Sequence, residues 1–143
     1  MMRLIRVTLA ASALINCSQA NVPETPDGHP TVKAYSNAYN AKDIDTLKSL
    51  MHPDIEWVSV TGSEIQVHIS GKDALSKEMQ DWFKNPKLPT GSLKGWSQNG
   101  DYVAVTETAH WTTDAGEAKS QSALTVYEFK DGLIRRVYYY TTT

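Results

Sequence analysis

The sequence predicts an α+β fold, a cone-shaped, curved antiparallel sheet packed on three N-terminal helices. Two observations carry this expectation. Apolar residues recur at helical spacing between Thr31 and Phe83. From Leu93 onward the chain turns β-branched and aromatic, punctuated by Asn99-Gly100 and Asp131-Gly132, dipeptides favoured in tight hairpins. Helices first and a strand meander afterwards gather the helices on one face of a sheet. A curled sheet closed in this way leaves a conical cavity, a common place for a small ligand.

Each element has its own signal. Val32, Tyr35 and Tyr39 fall at i, i+3 and i+7 and predict a helix from Thr31 to Asn40. Asp43 is placed to cap a second helix carrying Ile44, Leu47 and Met51 on one face, with His52-Pro53 ending it. Ile55 to Val60 has the composition of a strand. After Gly71, the residues Leu75, Met79, Trp82 and Phe83 mark a third helix, which Asn85-Pro86 stops. Strands follow over Leu93 to Gln98, Tyr102 to Thr112, Ser120 to Phe129 and Leu133 to Thr141, with a turn at Asp114-Ala115-Gly116. The segment around His68 is unassigned.

The start of the chain reads as an export signal. Met1 to Arg6 is a short basic region, and Val7 to Ile15 is apolar but too short to span a bilayer. Ser18-Gln19-Ala20 offers small residues for signal peptidase, which gives a signal peptide over residues 1–20 and cleavage before Asn21. Leu14-Ile15-Asn16-Cys17 competes with that reading, because it resembles a lipoprotein box whose cysteine would carry a lipid. The product is periplasmic or secreted by the first route and lipid-anchored at the membrane by the second. Residues 21–30 hold three prolines and read as a flexible leader, and residues 31–143 form one domain.

Composition excludes several partners. The chain has 143 residues, 41% hydrophobic and 21% charged, with a formal net charge of −2, and loss of Arg3 and Arg6 makes the remainder more acidic. That balance provides no electrostatic footprint for nucleic acid. Cys17 is the sole cysteine, so no intramolecular disulfide forms. The four histidines, His29, His52, His68 and His110, have no recognisable metal-site spacing. There is no G-x-G-x-x-G, Walker loop, C-x-x-C or G-x-S-x-G, so no cofactor is implied.

Four stretches resemble the nuclear-transport-factor-2-like (SnoaL-like) superfamily. They are Ala38 to Ile44, Met51 to Trp57, Gly71 to Leu75 and Tyr127 to Ile134, and their order covers nearly all of the chain from Thr31. The resemblance implies the cone-shaped fold, a cystatin-like roll, and a superfamily that includes isomerases, dehydratases, cyclases, epoxide hydrolases and non-enzymatic domains. Fold therefore does not fix function. The ketosteroid isomerase branch uses a tyrosine and a protonated aspartate as oxyanion donors and a second aspartate as base. The resemblance puts Tyr35 at the tyrosine, Ser59 at the base and Thr125 at the second donor. One of the three groups is kept, and a serine has no basicity of its own at neutral pH.

Strand parity sorts the remaining candidates. Val103, Val105, Glu107, Ala109 and Trp111 share the more apolar face of the long strand, which should point inward. Glu107 among apolar neighbours should titrate high and is the candidate general acid or base. Pairing with a lysine or arginine at the rim is the alternative. Tyr35 is the second catalytic candidate, and the alternative is a core-filling tyrosine. Trp57, Ser59, Val105, Trp111, Thr125, Tyr127 and Tyr139 form the expected ligand-binding wall. Tyr138 and Tyr140 point oppositely to Tyr139, and the resemblance implies a homodimer through that sheet face. The functional expectation is a pocket for a small apolar molecule, with cofactor-free isomerisation, dehydration or cyclisation. A non-catalytic carrier or accessory protein of the cell envelope is the alternative.

Overall fold

The computed structural model describes residues 28–141. The expected signal peptide, Cys17 and most of the leader lie outside them. The order is α1 (Pro30–Asn40), α2 (Ile44–Leu50), β1 (Met51–Thr61), β2 (Glu64–Ser70), α3 (Lys72–Trp82), β3 (Thr90–Asn99), β4 (Tyr102–Thr112), β5 (Ala118–Lys130) and β6 (Leu133–Tyr140). One curved sheet has the strand order β2-β1-β6-β5-β4-β3. Neighbouring strands are antiparallel except β1 and β6, which run parallel. They can do so because α3 and the β3–β5 meander lie between them in the chain.

The three helices form as predicted, with one boundary corrected. Pro30 occupies the first turn of α1, where a missing N–H costs nothing. At the other end Lys42 adopts φ 58°, and Asp43 N–H donates to Ala38 O at 2.8 Å. This Schellman arrangement satisfies the last carbonyls of α1. Asp43 then caps α2, accepting from Thr46 N at 3.1 Å and Thr46 Oγ1 at 2.6 Å. α2 ends at Leu50, earlier than the helical spacing predicts. Met51 is already extended (φ −91°, ψ 135°), and His52 and Pro53 lie within β1. Pro53 falls in a stretch of β1 between Met51 and Glu56 without ladder pairing, where its missing donor is harmless.

β2 is the element that sequence reading missed, so the sheet has six strands and not five. Its alternation is present in Ile65, Val67 and Ile69, but Ile65 and Val67 are 70% and 50% exposed. The pattern is short and most of its apolar side chains stay exposed, with only Ile69 packed against the core. The leader is also shorter than expected. Gly28 (φ +75°) lies against Trp96, where a Cβ would come within 2.5 Å of the indole. His29 packs on Phe129 with ring centroids 4.6 Å apart.

The helices cover the inner sheet face. Val32, Tyr35, Leu47, Leu75 and Met79 pack there against Ile55, Val103, Val105, Tyr127, Ile134 and Val137. The β5–β6 hairpin is set by Asp131 (φ 54°) and Gly132 (φ 75°), the positive pair of a type I′ turn. The outer face has no helix over it among the described residues. Ladder pairing aligns Ile65, Val60, Tyr140, Leu124 and Thr106 in one row across it. Val67, Val58, Tyr138, Val126 and Ala104 form the next row. Beside these, Arg136 bonds Glu56 at 2.5 Å and Glu128 at 3.3 Å, and Tyr138 Oη donates to Glu128 at 3.1 Å.

Candidate functional site

β4 and β5 run together from solid core into open space. Val103 pairs with Tyr127 and Val105 with Thr125, and all four are buried. Two residues further along, Glu107 pairs with Ala123 and Ala109 with Gln121. These four line a cavity of about 380 Å³, together with Tyr35, Ser36 and Tyr39 from α1, Trp57 from β1, Tyr139 from β6, Ser122 from β5 and Pro89, Thr90 and Gly91 at the start of β3. The small side chains of Ala109 and Ala123 leave the room.

Glu107 is the only carboxylate in the lining, and no lysine, arginine or histidine lines the cavity among the described residues. The carboxyl is largely buried. Thr125 Oγ1 donates to its Oε2 at 3.1 Å. Burial raises the Glu107 pKa above the usual carboxylate range, and the Thr125 hydrogen bond offsets only part of that. Gly91 sits beside the same carboxyl, since a Cβ built on it would stand 3.7 Å from Glu107 Oε1. Asn40 holds this wall in place. Its Nδ2 donates to Gly91 O at 2.9 Å, and its Oδ1 accepts from Gly91 N at 2.8 Å.

The tyrosines surround the carboxyl as neutral phenols. Tyr35 is 3% exposed, and burial pushes its hydroxyl well above the normal phenol range, with the Trp57 indole pulling the other way. Even so, neither Tyr35 Oη nor Trp57 Nε1 makes a hydrogen bond of good geometry with any described residue. Tyr139 is raised by burial first and by the Glu107 charge second, and Tyr127 likewise. Trp57 is pinned, with its ring 5.0 Å from Trp82 in a stack and 5.3 Å from Tyr139 edge-on.

Of the nine residues expected at the site, Glu107, Tyr35, Trp57 and Tyr139 meet at this cavity. The other five are placed differently. Val105 and Tyr127 are wholly buried in the core below it. Thr125 is also buried and reaches the site only through its bond to Glu107. Trp111 lies two residues beyond Ala109, paired with Lys119, and does not line the cavity. Ser59 hydrogen-bonds His68 Nε2 at 2.7 Å towards the β2 edge. Inward parity was right for several of these, but it does not tell depth along a strand. Ala109 shares the inward face already read for Glu107, and Gln121 and Ala123 carry the parity of Thr125, a signal that could have found them. The Pro89–Gly91 wall had none, because it is positioned by Asn40 from a distant helix. Among the described residues no cluster of three or more histidine, cysteine or acidic side chains could hold a metal ion.

Residues 32–137 match the family model described as the SnoaL-like domain. No curated protein matches the chain. Among solved structures, an uncharacterised cystatin-fold protein from Novosphingobium aromaticivorans is 27% identical, with a TM-score of 0.60, over 76% of this chain and 93% of that one. A Mycobacterium tuberculosis protein in complex with estradiol-17beta-hemisuccinate is 19% identical, with a TM-score of 0.63, over 78% and 90% of the two chains. A hypothetical protein of ketosteroid isomerase-like fold from Catenulispora acidiphila, in complex with trimethylamine, is 13% identical, with a TM-score of 0.65, over 80% and 87%. The chain therefore belongs to the SnoaL-like domain family, within the nuclear-transport-factor-2-like superfamily.

Proposed function

We propose that the domain binds a small, mostly apolar molecule in this cavity and that Glu107 moves a proton on it, with Tyr35 polarising a substrate oxygen. The reaction class is isomerisation, dehydration or cyclisation without a cofactor. The observation that carries the reading is the Glu107 carboxyl, largely buried against the cavity with one hydrogen bond and a raised pKa. A raised pKa brings a carboxyl closer to the working pH, which makes it a better proton-transfer group than an ordinary glutamate. A volume of about 380 Å³ is within the range of ordinary ligand pockets. The small molecules in the Mycobacterium and Catenulispora structures support a ligand role for the fold. Screening purified protein against cyclic ketones, alcohols and epoxides, with Glu107→Gln as control, tests the proposal. Turnover that survives Glu107→Gln unchanged sinks the catalytic assignment.

A second reading, a non-catalytic ligand carrier, is favoured by one observation. The positions that the isomerase pattern reserves for a base and a second donor hold Ser59 and Thr125, and their hydroxyls are engaged with His68 and Glu107. Ligand binding without turnover across the screen would select it.

We also propose that the chain is exported, by cleavage before Asn21 or by lipidation of Cys17, and that the domain pairs with a second copy through the outer sheet face. Ile65, Val67, Tyr102, Leu124 and Tyr140, the large hydrophobic side chains left exposed among the described residues, all belong to that face. Mass spectrometry of the native N-terminus distinguishes the two export routes. Sedimentation of wild type and Leu124→Arg tests the pairing, which fails if both sediment as monomers.

A further inference from the structure

Resting only on the pocket that both readings above share, we infer that its ligand is a mostly apolar amine, bound as an ammonium whose N–H donates to Glu107 Oε1. The Glu107 carboxylate is then the ligand's counter-charge.

Glu107 stands apart from the other partly buried carboxylates. Among the described residues the half-buried glutamates are Glu56, Glu107 and Glu128. Glu56 and Glu128 share the Arg136 guanidinium. Glu107 has no lysine, arginine or histidine beside it, and its one hydrogen bond, from Thr125, is spent on Oε2. Oε1 takes no hydrogen bond from any described residue. It is also not one of the sealed polar atoms that lack a partner, so it opens onto the cavity that Glu107 lines. A carboxylate in such a place is costly until an opposite charge joins it. A proton can supply that charge, and so can a cationic ligand.

The titratable groups that face Glu107 are phenols, Tyr35 and Tyr39 from α1, Tyr127 from β5 and Tyr139 from β6. Burial raises all four and the Glu107 charge raises them further, so they stay neutral at physiological pH and none brings a positive charge. An anionic ligand would meet the carboxyl and find no basic side chain in the lining. A neutral hydroxyl could donate to Oε1 but would leave the charge unmatched. A bare metal ion would need more ligands, and no cluster of three or more histidine, cysteine or acidic side chains exists among the described residues. An ammonium supplies a donor and a charge together. The rings, with Ala109, Ala123 and Pro89, take the hydrocarbon part.

The test uses the full chain with 2-aminotetralin and 2-tetralol, which share a shape and a donor and differ in charge. At pH 8 wild type should bind the amine about tenfold more tightly, the worth of a charge-assisted hydrogen bond once the ammonium's own desolvation is set against it. Glu107→Gln keeps the shape and removes the charge, and it should abolish that preference. In wild type the amine should bind more weakly at pH 5 than at pH 8, because burial raises the carboxyl and it regains its proton as pH falls. The alcohol's affinity should stay level over the same range. At pH 5 the carboxyl carbon resonance of Glu107 should move to its ionised position when the amine binds and stay put with the alcohol. If Glu107→Gln does not fold, that resonance in wild type decides alone. Equal affinity for the two probes, a preference that survives Glu107→Gln, or a carboxyl resonance the amine leaves unmoved overturns the amine assignment while the pocket reading stands. Failure of both probes to bind overturns the pocket reading as well.

Discussion

Replacing Glu107 by glutamine should make the folded protein more stable at neutral and mildly alkaline pH. Burial raises the Glu107 pKa above its ordinary value of 4.5. The native chain therefore keeps a proton that the unfolded chain has already released. Stability from this group is fully present below about pH 4.5 and is lost as pH rises through the folded pKa. Once ionised, the carboxylate has two oxygens to satisfy, and Thr125 is the one donor it has among the described side chains. An unsatisfied buried acceptor costs about 1–3 kcal/mol. Glutamine has nearly the same shape, its carbonyl oxygen can still accept from Thr125, and it carries no charge. We expect Glu107→Gln to gain about 1 kcal/mol at pH 8, the lower end of that penalty. For a domain of this length that is a rise of about 3–5 °C in Tm. Near pH 4 the gain should disappear. Urea denaturation of both proteins from pH 4 to pH 9 measures the difference directly. A variant less stable than wild type at pH 8, or a difference that does not change with pH, would refute the argument. Loss of turnover together with this gain is the usual signature of a group held in place for chemistry at the expense of the fold.

Three further outcomes are expected. Leu75→Ala removes a fully buried side chain between α3 and the sheet and should cost about 2–5 kcal/mol in urea unfolding. Asn40→Ala removes both bonds to the Gly91 backbone. Global stability should fall by only about 1 kcal/mol, while amide exchange at Gly91 accelerates and the cavity wall beside Glu107 loosens. His29 is held below its ordinary value of 6.5 by burial against Phe129, so its contribution is present above about pH 6.5 and is lost as pH falls through the folded value. Imidazole titration by NMR should show the depressed value, and His29→Phe should flatten the stability profile on that acid side.

Helix periodicity and turn chemistry were both legible in the sequence because they are local. Val32, Tyr35, Leu75 and Met79 mark their helix faces at fixed spacing, and all four are buried. Asp131-Gly132 names its own turn, since both residues tolerate the positive φ that a type I′ turn requires. Met51 shows where a local pattern misleads. It continues the helical spacing of Ile44 and Leu47, but it begins β1, where pairing with Ile134 decides its conformation. β2 escaped because an edge strand is stabilised by its partner's backbone, and all its side chains but Ile69 are exposed.

The sequence by itself determined the order of the three helices and of every strand but β2, the inward parity of the long strand and the presence of one acidic residue, Glu107, among apolar ones. Parity is a property of consecutive residues, so it survives without coordinates. Depth does not. Only the tertiary structure decided that Val105, Thr125 and Tyr127 lie in solid core while Glu107, two residues along from Val105, borders open space. That boundary depends on where α1 and the Asn40-anchored start of β3 lie across the sheet, and on how little room Ala109 and Ala123 fill. Convergence of Tyr35, Trp57 and Tyr139 on Glu107 is of the same kind, because three elements far apart in sequence meet only after the sheet has closed around the helices.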